Sequence, residues 1–491
     1  MDIVSDFLVH LVNVSLTTAT FPDSYKLSIV TPILKGTKLD SQEFSNYRPV
    51  SCLNYIGKLL ENVIVDQLSA YLEDNKLFSL FQSGFRKNHG VESALLKVMN
   101  DVFLALDSNN SVVLALLDIS AAFDTISHEE LFKIMTHRLN INGMAIEWLK
   151  NYLQNRRQKV KIKNTLGDEL AIKHFGIPQG SKLGPIIFAI YLIPLYDVLK
   201  NMGLNYHGYA DDNQIYLMSQ NSLQNDIVNC VVDVKKQWFC DHNLKLNSSK
   251  TNVIIFAGRQ KEVPATVRLG DSEITVSENV RNLGFIIDCD LNFQKQIDKV
   301  CRNAYLQLRI ISRNKYCMNI ETMEKLLMSQ VMSHLNFCCL LYCELPEYLL
   351  KKLQQVQNCA VRLLKGISKR DHITPHIKDL KWLTVKNFIK LRYAVVIYRC
   401  INGDMPGYLT SMLKLHLAPK NLRSNYDTLL ELPRVNKNIG SRSFSYLGPK
   451  IWNEIPKEIK HSSTLNSFRN KFKLYLYTYL MFMFSSLLVQ L

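Results

Sequence analysis

The sequence is short of several features, and each shortage argues against a class of protein. Eleven cysteines are spread over 491 residues with no regular spacing, which argues against a disulfide-framed secreted scaffold and for reduced thiols in an intracellular protein. His334, Cys338, Cys339 and Cys343 lie close together without a zinc-site spacing and read as packed thiols on a helix. The first fourteen residues are apolar but carry Asp2 and Asp6 and no basic leading segment, unlike a secretory leader. No internal repeat or low-complexity tract is visible. Acids are scarce at one end only: residues 351–473 hold 24 Lys and Arg against 7 Asp and Glu, whereas residues 1–350 hold 35 against 36. The net charge of +16 therefore sits in the C-terminal quarter, which suits a polyanionic partner such as RNA or DNA. Residues 474–491 lack charge altogether. That raises a membrane span, but their Tyr, Thr, Ser and Gln favour a packed helix, and no membrane partner is expected.

What is present points to a globular protein of two or three domains, with 47% apolar and 21% charged residues. Ser111 to Leu117 is an almost unbroken apolar run that ends at Asp118. It reads as a strand buried on both faces that delivers one acid to the end of its sheet. Tyr209-Ala210-Asp211-Asp212 lies between two strand-like runs, 204–206 and 214–217, and predicts a hairpin with two carboxylates at its tip. Adjacent acids on a tight turn repel each other, and shared divalent cations with a preference for hard oxygen ligands relieve that repulsion. A solvated Asp-Asp turn is the plainer alternative. Placed side by side in one antiparallel sheet, Asp118, Asp211 and Asp212 would hold two Mg²⁺ ions roughly 3.5–4 Å apart, the arrangement of two-metal phosphoryl transfer.

The rest of the chain supplies a setting. Residues 29–34 read as a strand interrupted by Pro32. Gln82 to Lys87 forms a Gly-containing turn with two cations, ahead of a helix over 91–106. Arg157, Lys159, Lys161 and Lys163 alternate along a strand and put four cations on one face, for a phosphate backbone or for solvent. Gly176 to Pro185 is a Gly- and Pro-punctuated loop opening an apolar helix over 186–199, which Pro194 kinks. Ser222 is placed to cap an amphipathic helix over 223–239. Residues 281–287 read as a short strand, and residues 293–366 as helices. Further helices are expected near 385–400 and 465–479.

Six segments, in this order, resemble the motifs of reverse transcriptases: Asn46-Tyr47-Arg48-Pro49-Val50-Ser51, Gln82-Ser83-Gly84-Phe85-Arg86, Leu117 to Asp124, Gly176 to Ser181, Tyr209 to Asp212 and Asn282-Leu283-Gly284. The chain looks like those of non-LTR (LINE-type) retrotransposons, the jockey-like group in particular, over about residues 20–290. The resemblance implies an α+β fold, a right-hand polymerase with fingers and an antiparallel palm sheet over 1–290. A helical thumb would follow over 291–366, then a basic, mostly helical region with an apolar tail over 367–491. It implies RNA-directed DNA polymerase activity, adding dNTPs to a primer 3′-hydroxyl as in target-primed retrotransposition.

The roles follow by match. Asp118, Asp211 and Asp212 match the metal-binding acids, loaded with two Mg²⁺ ions that Mn²⁺ could replace. Phe123 matches the bulky side chain that excludes a ribose 2′-hydroxyl. Arg86 matches a contact to the incoming triphosphate, Gln179 and Gly180 the loop against template and nucleotide, and Tyr209 a neighbour of the substrate. Lys250 resembles the proton donor to pyrophosphate, and Asn282, Leu283 and Gly284 the primer grip. Partners would be an RNA template, a DNA primer or target, and dNTPs, with further nucleic acid on the basic region 351–473. The expected setting is intracellular, in the nucleus or a cytoplasmic ribonucleoprotein. The polymerase motifs begin almost at once, so neither an endonuclease nor a Cys/His knuckle is expected beside them within these residues. A nucleic-acid-binding remnant without catalysis is the alternative. An RNA polymerase or intron maturase is a third reading, and Phe123 argues against the RNA polymerase.

Overall fold

The computed structural model describes residues 2–488, apart from 121–122, 220–241, 243, 248–249, 259–262, 270–271 and 417–428. The helix expected over 223–239 lies outside the described residues. Fourteen described strands occur in chain order: β1 (Leu27–Leu34), β2 (Tyr47–Cys52), β3 (Ser111–Leu117), β4 (Ile119–Ser120), β5 (Arg156–Ile162), β6 (Thr165–Ile172), β7 (Asn205–Tyr209), β8 (Asp212–Ser219), β9 (Lys245–Leu246), β10 (Asn252–Phe256), β11 (Thr266–Leu269), β12 (Ser272–Thr275), β13 (Asn279–Asn282) and β14 (Phe285–Asp288). Two four-stranded sheets dominate, ordered β2-β1-β5-β6 and β10-β3-β8-β7. Every pairing in the second is antiparallel.

β3 has no wet face, and its composition follows from that. Val112 and Leu114 pack into one hydrophobic core with Tyr216, Ile254 and Phe256. Val113, Ala115 and Leu117 point the other way, into a second core with Ile215, Val253 and Ile255. Alternate side chains leave a strand on opposite sides, so both parities must be apolar here. The second core is completed by the helices Gly184–Tyr191 and Ile193–Asn201. They stand where one helix was expected: the break falls at Leu192, and Pro194 sits in the first turn of the second, where a missing N–H costs little.

The first core extends from this sheet through the helices Gln294–Arg313 and Glu347–Lys365 to Val385–Ile401, Phe444–Asn453 and part of Leu465–Leu488. At its centre lies the helix Val91–Asp107, sheathed on both sides. Arg392 pairs with Glu92 at 2.7 Å, and the Asn100 Oδ1 accepts the Ser445 N–H at 3.0 Å. The Asp107 carboxylate accepts the backbone N–H groups of Asn436 and Lys437. Arg442 lies over the rings of Phe103 and Phe293. Part of the basic quarter's charge is thus committed inside the fold rather than to a partner. Cys338 and Cys339 are buried in this core, and burial pushes the Cys339 thiol up to about 12. Among the described residues, no helix is long and apolar enough to cross a membrane.

Candidate active site

The acids converge at one end of the antiparallel sheet. β7 and β8 form a hairpin closed by the Tyr209–Asp212 pair, with Ala210 and Asp211 as the two-residue loop. Ala210 takes a left-handed φ of 57°, strained for an alanine. The turn is held from below by the segment Phe81–Gly84. Ser83 N–H donates to the Gly208 carbonyl and Gly208 N–H to the Phe81 carbonyl, both at 2.8 Å. A Cβ at Gly84 would stand 2.2 Å from the Ala210 nitrogen, so only glycine permits this approach. In the β3–β8 ladder Leu117 faces Asn213, a register that sets the next residue, Asp118, beside Asp212. Although Asp212 is exposed, its pKa is raised to about 6, by burial of the carboxyl first and then by the charges of Asp211 and Asp118. An acid from β3, remote in sequence, and the adjacent acid of the turn therefore both act on Asp212.

Other expected residues gather around this end. The Asp118 carbonyl accepts the Asn247 N–H at 2.8 Å, which ties β9 beside the acid. Lys250 follows on the same turn and is exposed. Phe123 stacks on Phe188 with ring centres 5.1 Å apart and stays half-buried. Its neighbour Asp124 accepts a hydrogen bond from the Gln179 Nε2 at 3.2 Å, and burial holds the Asp124 carboxyl above its usual pKa. The Gln179 carbonyl accepts the Ser51 N–H at 2.8 Å. Gly180 adopts φ 132°, where a Cβ would meet the Ser51 carbonyl at 2.5 Å. The three motifs that end at Ser51, Asp124 and Ser181 are thereby knitted together. Arg48, exposed on β2 in the other four-stranded sheet, is a further cation, to which the motif match assigns no role.

Two expectations are corrected. Arg86 does not present its guanidinium to a triphosphate. Its Nε and Nη2 grip both Glu73 oxygens at 2.7 Å, and its Nη1 donates to the Ser79 and Gln82 carbonyls at 2.9 Å. One carboxylate and two carbonyls take up four of its five N–H groups, so the fork is committed to its own loop. Asn282 likewise does not face a primer. It is 2% exposed, and its Nδ2 donates to the buried Gln214 Oε1 at 2.7 Å. The segment expected as one strand is a hairpin, β13 and β14, whose loop residues Leu283 and Gly284 are both left-handed at 46° and 90°. On β5 the cationic face is partly neutralised: Arg157 and Lys159 both pair with Glu169, at 3.0 and 3.4 Å.

Among the described residues, no three acid, His or Cys side chains form a ready-made metal cage. The acidic end suits Mg²⁺ all the same, since that ion is usually held by one or two carboxylates and fills its shell with water and phosphate oxygens.

An antiparallel sheet with paired acids at a hairpin tip, flanked by a second sheet and followed by helices, has the α+β make-up of a right-hand polymerase. Residues 33–287 match the family described as reverse transcriptase (RNA-dependent DNA polymerase), and the chain belongs to that family. It is similar to the probable RNA-directed DNA polymerase from transposon X-element of Drosophila melanogaster, 27% identical over 74% of this chain and 40% of the relative. It is also similar to the RNA-directed DNA polymerase from mobile element jockey of the same species, 29% identical over 63% of this chain and 34% of the relative. The chain thus spans two-fifths or less of the length of these curated relatives. A solved telomerase from Candida albicans in complex with a fragment of telomeric RNA is similar over 76% of this chain and 68% of its own, at 12% identity and a TM-score of 0.41.

Proposed function

We propose that the chain is an RNA-directed DNA polymerase of a non-LTR, jockey-like mobile element, extending a primer 3′-hydroxyl with dNTPs on an RNA template. The observation that carries this reading is the strand register that sets Asp118 beside Asp212 at the tip of the hairpin that also bears Asp211. Their carboxylates would hold two divalent ions, Mg²⁺ by preference. When bound, such ions lower the pKa of the attacking hydroxyl and stabilise the departing pyrophosphate. The chain's own part is positioning. The loop Phe81–Gly84 fixes the height of the hairpin, and Asp124 orients the Gln179 amide against the nucleotide site. The Phe123 ring, backed by Phe188, walls off the space a ribose 2′-hydroxyl would need. Lys250 would supply a proton to the leaving group from beside Asp118. The primer would meet the backbone of the Leu283–Gly284 turn rather than the Asn282 side chain. Residues 1–290 would be fingers and palm, 291–366 the thumb, and the basic quarter a further surface for nucleic acid.

Primer extension on poly(rA)/oligo(dT) with Mg²⁺ tests the reading. The wild-type chain incorporates dTTP and Asp211→Ala does not. Incorporation that is absent, or indifferent to the substitution, would mark a nucleic-acid-binding remnant instead.

A further inference from the structure

Tyr408 belongs to the C-terminal quarter, beyond the residues that match the polymerase family, yet its hydroxyl ends inside the palm. The side chain is 1% exposed, at the start of the short helix Gly407–Thr410. Its hydroxyl lies 2.8 Å from the Ser83 Oγ, which in turn lies 2.9 Å from the His207 Nε2. On its other side the Tyr408 O–H donates to the Ser93 Oγ at 3.0 Å, and the Ser93 O–H donates to the Gly90 carbonyl.

Proton bookkeeping gives this chain one consistent direction. Ser93 uses its hydrogen on Gly90, Tyr408 uses its hydrogen on Ser93, Ser83 therefore donates to Tyr408, and the His207 Nε2–H donates to Ser83. That leaves the buried His207 Nδ1 as a bare acceptor, and it has no hydrogen-bond partner among the described residues. The rings add contact: Tyr408 stands edge-on to His207 at 5.1 Å and tilted against Phe81 at 6.3 Å.

Both inner members of the chain sit on the support of the acidic turn. Ser83 lies within Phe81–Gly84, the segment that hydrogen-bonds Gly208 and abuts Ala210. His207 lies on β7, four residues ahead of Asp211. We propose that Tyr408 is a positioning residue for the acidic hairpin, fixing through Ser83 and His207 where Asp211 and Asp212 stand. The inference rests on the polymerase reading for its kinetic consequence, but not for its structural one. It also means that the palm is not mechanically complete without the C-terminal quarter.

The test uses the full chain with Tyr408→Phe and a matched control, Tyr398→Phe. Tyr398 is a buried tyrosine of the helix Val385–Ile401 whose hydroxyl donates to the Ser462 carbonyl at 2.7 Å, away from the hairpin. On poly(rA)/oligo(dT), Tyr408→Phe should lower kcat about tenfold, the scale of small misplacements of reacting groups. KM for dTTP should stay within about twofold, and Tyr398→Phe should leave both unchanged. Ser83→Ala should lower kcat alike, and the double variant Ser83→Ala/Tyr408→Phe should lose no more than either single one.

Amide exchange reads the same link without activity. Tyr408→Phe should speed exchange at Ser83 and Gly208 about tenfold, and Tyr398→Phe should not. If the wild type extends no primer, the polymerase reading fails and the exchange result alone decides the link. Unchanged exchange at both amides overturns the proposal. So does a kcat loss shared equally by Tyr398→Phe, or additive losses in the double variant.

Discussion

Lowering the pH from 7 to 5 should weaken divalent-ion loading at the hairpin about tenfold, because Asp212 titrates in between. Its pKa of about 6 means that it is nine-tenths charged at the upper pH and about one-tenth charged at the lower. An ion must displace that proton, so apparent affinity falls with the charged fraction. Stability runs in the opposite sense. An acid whose folded pKa is raised above its unfolded value of 3.8 holds a proton in the fold that the unfolded chain has already released. The ion-free protein therefore gains stability as pH falls through the window from about 6 to about 4. Mn²⁺ titration followed by electron paramagnetic resonance measures the affinity, and carbon NMR of the aspartate carboxyls measures the midpoint. Asp118→Asn removes one of the two like charges, so the Asp212 midpoint should move down. Affinity that is flat between these pH values, or a midpoint near 4, would refute the electrostatic coupling of the three acids. A midpoint unmoved by Asp118→Asn would remove Asp118 from the group.

Two further substitutions probe the support of the site. Gly84→Ala drives a Cβ to within 2.2 Å of the Ala210 nitrogen and should abolish primer extension. Gly90→Ala, with nothing within 4 Å of the added carbon, should leave it intact in the same assay. Asn282→Ala strands the buried Gln214 Oε1 and should cost about 1–3 kcal/mol in urea unfolding, with little change in template–primer affinity.

The parts of this fold that could be read from the sequence are those that local pattern dictates. β3 was legible because burial on both faces leaves no polar position between Val112 and Leu117. The hairpin was legible because two strand-like runs flank four residues, and the acids because their order along the chain matches a family. Long-range pairing was not legible. Arg86 looks like a free cation until Glu73, thirteen residues earlier, is seen to enclose it. Asn282 looks exposed until Gln214, 68 residues away, is found beneath it. Nothing in the Leu283–Gly284 dipeptide announces a leucine at φ 46°. Counting charges misled in one respect. Arg392 and Arg442 add to the positive sum of the C-terminal quarter, yet one clasps Glu92 and the other lies between two phenylalanines. Tyr408 carried no signal at all, since an isolated tyrosine in a loop-rich stretch has no periodicity to betray its contacts.

The two-faced sheet has a consequence for damaged copies of this chain. One side of it is covered by the helix Val91–Asp107 and, over that, by helices translated long after its strands, so a reading frame broken between them would leave the shared core of Val112, Leu114, Ile254 and Phe256 only partly covered. Aliphatic surface of that kind invites chaperones, proteases and clumping. A damaged copy would then be cleared by its own stickiness before it could accumulate.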